Sequence, residues 1–323
     1  MTYKNKIITL SGVIAALAIV YILTIIFDPQ RRGSRSDAYT WLEPGQNNRI
    51  SGITIAKPGE TVNLSQNGGK WFVTRDGKDY PARKTRVEDF LSALSKRAPY
   101  PVRSSSASSH ERLSLTPDNA TQITVYAGSG PPLLALLIGQ SDITGQNVYL
   151  RKQGQNEVRS GEDRFSVYTD STLNSWYNLR LFPENEDGKL DAKDIQRLIV
   201  YPPEDAGAPG GAQSQIFTRN NREWTFNFDI TNPDFSKVDA YIRDVLGVSG
   251  DDFIDGINLS DPMFNSCRIM MEMGNGGSKT LRLGPPDQDG RRYATISGSD
   301  FIYSIPAWAV NKLFVDKENF KAE

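Results

Sequence analysis

Two stretches about 150 residues apart carry the same series of local signals, and this repetition restricts the chain to folds built twice. Thr85-Arg86-Val87-Glu88 has the layout of a helix start in which a hydroxyl and a carboxylate satisfy free backbone N–H groups. Val87, Phe90, Leu91 and Leu94 follow at the spacing of one apolar helical face. Ser236-Lys237-Val238-Asp239 repeats the layout with Asp in place of Glu, and Val238, Tyr241, Ile242 and Val245 repeat the stripe. Trp71 and Pro81 precede the first start, and Trp224 and Pro233 precede the second.

The parallel continues downstream. Ile123 to Tyr126 and Ile269 to Glu272 read as strands leading into turns, and each returns as an apolar strand ending in glycine, Leu136 to Gly139 and Leu281 to Gly284. Tyr149 and Tyr293 then mark a further strand, and each half is expected to end in a helix bearing tryptophan, Trp176 and Trp308. Before the first helix, Ile53 to Ile55 read as a strand ahead of the Lys57-Pro58-Gly59 turn. Asn67-Gly68-Gly69 reads as the reversal of a hairpin into Trp71, Phe72 and Val73. The fold class expected is α+β: two repeated modules of mostly antiparallel sheet with amphipathic helices, over residues 49–182 and 193–316. A linker at 183–192 joins them, and 317–323 is a tail. Arg103 to Ser109 and Pro202 to Gly211 have the Ser, Pro and Gly content of exposed loops. The tryptophans are expected to fill the core, with a carbohydrate-stacking platform as the alternative.

Ahead of these modules, Ile7 to Phe27 is a run of twenty-one residues without a charge. A helix of that length covers about 30 Å, the thickness of bilayer hydrocarbon. A cleavable signal peptide needs a shorter apolar core and small residues at the cut, whereas Ile25, Ile26 and Phe27 are bulky. The reading is therefore a transmembrane signal anchor at 7–27, after a cytoplasmic N-terminus at 1–6 and before a Pro-, Gly- and Ser-containing linker at 28–48. Lys4 and Lys6 on one side face Arg31, Arg32 and Arg35 on the other, so local charge does not orient the span. Long domains translocate largely regardless of charge, which places the body outside the cytoplasm on a single-pass anchor. A lone Cys agrees with an oxidising compartment.

Composition narrows the chemistry. With 37 basic and 38 acidic residues, the chain does not bind nucleic acid by bulk phosphate neutralisation. One Cys and one His exclude a thiolate zinc site, an internal disulfide and paired-histidine metal sites. Gly274 to Thr280 contains glycines, Lys279 and Thr280, but Ser278 interrupts the phosphate-loop pattern and the segment lies between strands. Asn185, Asp187, Gly188, Asp191 and Asp194 resemble part of a calcium loop, although Pro183 stands at its first position and Asp at its last. Whether the Asp187 to Asp194 segment binds calcium stays open, with an acidic linker as the plain alternative. Asp251, Asp252 and Asp255 are the nearest thing to a carboxylate pair for hydrolysis, and Asp287 to Gly290 reads as a polar turn. His110 has no nucleophile beside it, and Gly139-Gln140-Ser141 continues with Asp142 and Ile143, which breaks the elbow pattern. No catalytic, cofactor-binding or metal residue is assigned.

The tryptophan strand, the Asp79-Tyr80-Pro81-Ala82 turn before the helix, Gly139 ahead of Tyr149-Leu150-Arg151, and the closing helix together resemble a bacterial repeat domain of unknown function. The second copy departs from it, with Thr231-Asn232-Pro233-Asp234 at the turn and Ala294-Thr295 after Tyr293. The resemblance implies a tandem domain held by one N-terminal helix and encoded beside gliding-motility-type ABC transporters. It implies as partners an ABC-type permease and its associated extracytoplasmic subunit, and no catalytic residues. The function expected is therefore a non-enzymatic, membrane-anchored accessory subunit of an ABC-type transport complex. The alternatives are a free-standing envelope-binding module for glycan or protein and, behind it, a carboxylate-dependent hydrolase.

Overall fold

The computed structural model describes residues 38–182, 190–203, 213–221 and 223–322. They form two compact units that divide between Trp176 and Tyr177. The protein is sheet-rich α+β, and every strand pair is antiparallel.

The first unit begins with β1 (Ala38–Tyr39), β2 (Gly52–Lys57), β3 (Glu60–Asn67), β4 (Lys70–Arg75) and β5 (Lys78–Pro81). Helix α1 (Lys84–Ser95) follows, then β6 (Ala98–Pro99), β7 (Val102–Ser104), β8 (Thr121–Tyr126), β9 (Leu134–Ser141), β10 (Asn147–Lys152) and β11 (Val158–Glu162). Apart from the small β1–β6 pair, the strands make one sheet in the order β5-β4-β3-β2-β8-β9-β10-β11-β7. Gly68 and Gly69 both have positive φ at the β3–β4 reversal, which lets two residues turn a twisted hairpin. Alternation along the strands buries Ile53 and Ile55, Val62 and Leu64, Trp71 and Val73, Ile123 and Val125. The α1 stripe of Val87, Phe90, Leu91 and Leu94 is buried as its spacing implies, and the helix packs against β4. Its N-terminal end is fixed by the Arg83 N–H, which donates to the Trp176 carbonyl at 2.7 Å.

Leu136 and Leu137 are adjacent on β9 and both are buried, so the sheet is covered on two faces there. Leu137 joins Leu113, Leu115, Ala120 and Val158 in one cluster. Arg151 is buried below this loop and donates to the carbonyls of Leu115 and Gln155 at 2.8 and 2.9 Å. Its guanidinium thereby ties two loops to the sheet, and desolvation lowers its pKa. Gly139 allows the same loop to close: a Cβ there would lie 2.1 Å from the Leu113 carbonyl oxygen.

The second unit comprises β12 (Ile195–Tyr201), β13 (Gln215–Asn220), β14 (Glu223–Phe226), α2 (Phe235–Gly247) and β15 (Asp252–Ile254). It continues with β16 (Cys267–Met273), β17 (Ser278–Pro286), β18 (Arg292–Ile296), β19 (Ile302–Ile305) and α3 (Ala307–Leu313). The sheet order is β14-β13-β12-β16-β17-β18-β19-β15. Leaving aside the extra edge strand β5, this matches the first sheet strand for strand. Val238, Tyr241, Ile242 and Val245 are buried on α2, which packs against the tryptophan strand β14 as α1 does against β4.

Several details differ from the sequence expectation. Neither capping box forms. Helix α1 starts at Lys84 with Arg83 as its N-cap and no side-chain capping bond. Helix α2 is capped by Asp234, which accepts from the Ser236 N–H at 2.9 Å and from its hydroxyl. An aspartate placed before the helix reaches the free N–H groups, which releases Asp239 for another bond. Trp176 and Trp308 are not counterparts: Trp176 is buried in a 3-10 turn at Leu173–Trp176, whereas Trp308 on α3 is 64% exposed. The part of the 28–48 linker from Ala38 onward is packed, with Trp41 and Leu42 buried and β1 paired to β6.

Within the 49–182 span, Leu179 and Leu181 pair with Gly250 and Val248 of the second unit's own chain. The 317–323 tail contributes buried Phe320, its ring 5.1 Å from Phe217. Arg103 and Ser104 of the serine-rich stretch belong to strand β7. The 7–27 span and the 183–189 core of the linker lie outside the described residues. No helix among the described residues is long and apolar enough to cross a membrane.

Gly139→Ala is expected to destabilise the protein by about 1–3 kcal/mol in urea unfolding, because the added methyl meets a backbone oxygen that bonds the Gln140 N–H. Gly45→Ala meets open space and is expected to change stability by less than about 0.5 kcal/mol.

Candidate functional site

In the first unit, a recess of about 370 Å³ lies between three elements. The 3-10 turn Pro44–Arg49 supplies Asn47 and Asn48, the β3–β4 hairpin supplies Gln66 and Trp71, and α1 supplies Glu88 and Leu91. Trp71 and Leu91 are its buried apolar lining, while Asn48, Gln66 and Glu88 are exposed. The Ser95 hydroxyl donates to Asn47 Oδ1 at 3.2 Å and holds that amide against the helix. Glu88 Oε1 lies 3.7 Å from Lys84 Nζ one turn back, an exposed pair that water screens to a small net effect.

The second unit carries the same three elements at corresponding places. The 3-10 turn Ala192–Asp194 precedes β12 and packs on α2, just as Pro44–Arg49 precedes β2 and packs on α1. Gln66 lies opposite Trp71 across the β3–β4 hairpin, and Arg219 lies opposite Trp224 across β13–β14. Glu88 and Asp239 each follow the first buried valine of their helix. In the second unit a guanidinium occupies the space between these elements. Arg219 Nη2 reaches Asp239 Oδ1 at 2.5 Å and the Ala192 carbonyl at 3.1 Å, while Nε reaches the Ile195 carbonyl at 3.2 Å. Its Cζ stands 4.4 Å from the centre of the Trp224 ring, and the Trp224 indole N–H donates to Asp239 at 3.2 Å. Gln66 is shorter and uncharged, which leaves the first unit's arrangement open.

The residues singled out by sequence are engaged in local structure. Gly274 to Gly277 turn the β16–β17 hairpin, with the Gly277 N–H donating to Asn275 Oδ1, and Ser278 to Thr280 begin β17. Asp191 and Asp194 form a capping box on their own 3-10 turn, while Asn185, Asp187 and Gly188 lie outside the described residues. Asp251 pairs with Arg291 at 3.2 Å, Asp252 accepts from the Phe253 N–H, and Asp287 accepts the N–H groups of Asp289 and Arg291. His110 Nε2 sits 3.1 Å from the Asn156 carbonyl. Ser141 ends β9, and Asp142 beside it is a half-buried turn former. Hydrogen bonds from Thr144 and Asn147 hold its carboxyl down at about 2. No group of three or more metal-ligating side chains occurs among the described residues.

Sequence reading missed the recess, since Gln66, Asn47, Asn48 and Glu88 match no chemical motif. The signal that finds it is the change from Arg219 to Gln66 at one cross-strand position of the repeat.

Arg219→Met is expected to cost about 1.5–3 kcal/mol, since Asp239 loses a charged hydrogen-bond partner, and to shift the Trp224 indole resonance. Gln66→Met, at an exposed site, is expected to stay within about 0.5 kcal/mol in the same unfolding assay.

Comparison with known proteins gives one family. The model described as Domain of unknown function (DUF4340) matches residues 71–263, more than half of the chain. The matched stretch starts at Trp71 and runs on past α2 into the second unit. No curated protein and no solved structure matches the chain.

Proposed function

We propose, from the premise that the chain belongs to the DUF4340 family, that it is a non-enzymatic accessory subunit of an ABC-type transport complex. In this reading residues 7–27 anchor it in a bacterial inner membrane. The two sheet units, a module duplicated within one chain, stand outside the cytoplasm and contact the permease or its extracytoplasmic subunit. The single observation that carries the reading is the uncharged twenty-one-residue run Ile7 to Phe27 ahead of two units of the same strand order. One such span is too little to build a permease, and Gly274 to Thr280, which turns a hairpin, does not cradle a nucleotide.

Supporting a scaffold over a catalyst, the carboxylates most suited to chemistry serve turns, caps and ion pairs. The resemblance to domains encoded beside gliding-motility-type transporters supplies the choice of partner. A free-standing envelope-binding module is the second reading, and Trp308 favours it. This indole is 64% exposed, with Lys312 Nζ 5.3 Å from its ring, a face on which a sugar could stack.

Affinity purification of the full chain from membranes in mild detergent is expected to recover an ABC permease. Recovery without any transporter subunit, under conditions that keep known complexes intact, counts against the proposal. Glycan binding lost in Trp308→Ala moves the protein to the second reading.

A further inference from the structure

We propose that the recess of the first unit is a receptor for a guanidinium group, an arginine side chain presented by a partner polypeptide. The molecule contains its own template for the complex. In the second unit a 3-10 turn, a tryptophan hairpin and a helix carboxylate surround Arg219, which stacks on Trp224 and bonds Asp239 and two backbone carbonyls. The first unit keeps the turn, the tryptophan and the carboxylate as Asn47 and Asn48, Trp71 and Glu88. At the position of Arg219 it has Gln66, and its helix carboxylate is longer by one methylene. The result is a space of about 370 Å³ lined by the Trp71 indole, the Glu88 carboxylate and the side-chain amides of Asn47, Asn48 and Gln66.

Those walls select the chemistry of the guest. A carboxylate and amide oxygens accept hydrogen bonds from a cation, and a planar guanidinium donates in several directions while stacking on the indole. An ammonium group makes the charge contact without the fork or the stacked plane, so lysine is the weaker guest. The recess is shallow, with three of its six lining residues exposed. That shape suits one side chain inserted from a larger body, and it gives a small free molecule little surface to bury. The inference does not depend on whether the partner is a permease.

The test uses the full chain in detergent with its tryptophan indoles labelled for NMR, the Trp71 signal being assigned through Trp71→Phe. The probes are an acetylated and amidated Gly-Arg-Gly peptide, its citrulline and lysine counterparts, and free arginine. The arginine peptide is expected to shift the Trp71 indole saturably at about millimolar concentration and to leave Trp224 unmoved. The citrulline peptide, the same shape without the charge, is expected to produce no shift, and the lysine peptide a weaker one. Glu88→Gln is expected to weaken binding about tenfold. Gln66→Arg, which supplies the guanidinium from within, is expected to abolish it and move the Trp71 signal while the other indoles keep their positions. Equal response to arginine and citrulline peptides, no Trp71 response to the arginine peptide, or undiminished binding in Glu88→Gln overturns the proposal. Tighter binding of free arginine than of the peptide overturns the polypeptide source.

Discussion

Each sheet depends on one helix laid across its tryptophan hairpin. An antiparallel sheet with an apolar face needs a cover. In the first unit α1 provides it through Val87, Phe90, Leu91 and Leu94, and in the second α2 does so through Val238, Tyr241, Ile242 and Val245. The remaining contacts assemble around that seat. Phe90 meets Trp176 with ring centres 5.7 Å apart, and the Arg86 guanidinium lies over Trp176 and Tyr168 at 4.8 and 5.3 Å. Arg86 also donates to the Val167 carbonyl and the Ser171 hydroxyl, so the chain after β11 is stitched to the helix. In the second unit the Tyr241 hydroxyl donates to the Leu313 carbonyl at 2.6 Å, and burial raises its pKa, which keeps it a donor.

With the helix seated alike in both units, the side chain opposite each tryptophan decides what lies between turn, hairpin and helix. Arg219 closes that space by joining three elements through one guanidinium. Gln66 leaves it open. The difference is electrostatic as well as steric, because Asp239 pairs with a largely buried guanidinium and Glu88 with the exposed Lys84. Two sheets that share eight strands in the same order can therefore hold a packed joint in one unit and a polar recess in the other.

Buried arginines elsewhere act as fasteners. Arg151 bonds the Leu115 and Gln155 carbonyls, and Arg292 bonds the Gly284 carbonyl at 2.8 Å. A guanidinium directs several donors from a fixed plane, so it can hold a loop at a defined angle to a strand. This gives a structural meaning to the Tyr149-Leu150-Arg151 run, since its arginine secures the loop that covers the second face of the first sheet. In the second unit Thr295 stands after Ala294, and Arg292 comes from the start of β18 instead.

The paired strands, the two amphipathic helices and the matching order of elements are legible in the sequence, because period-2 and period-3.6 apolar patterns and glycine turns are local properties of the chain. So are the burial of Trp71 and Trp224 and the hairpin at Gly274 to Thr280. Tertiary structure alone decided that Asp239 turns from its own helix start to Arg219, while Asp234 caps that helix locally through the Ser236 N–H. It also decided that Trp176 is buried while Trp308 is exposed, since Phe90 and Arg86 of α1 and Tyr168 close over Trp176, whereas Lys312 lies beside Trp308. The recess is the clearest such case. Asn47, Gln66 and Glu88 are unremarkable polar residues along the chain, and they converge only because a hairpin, a turn and a helix meet over one indole.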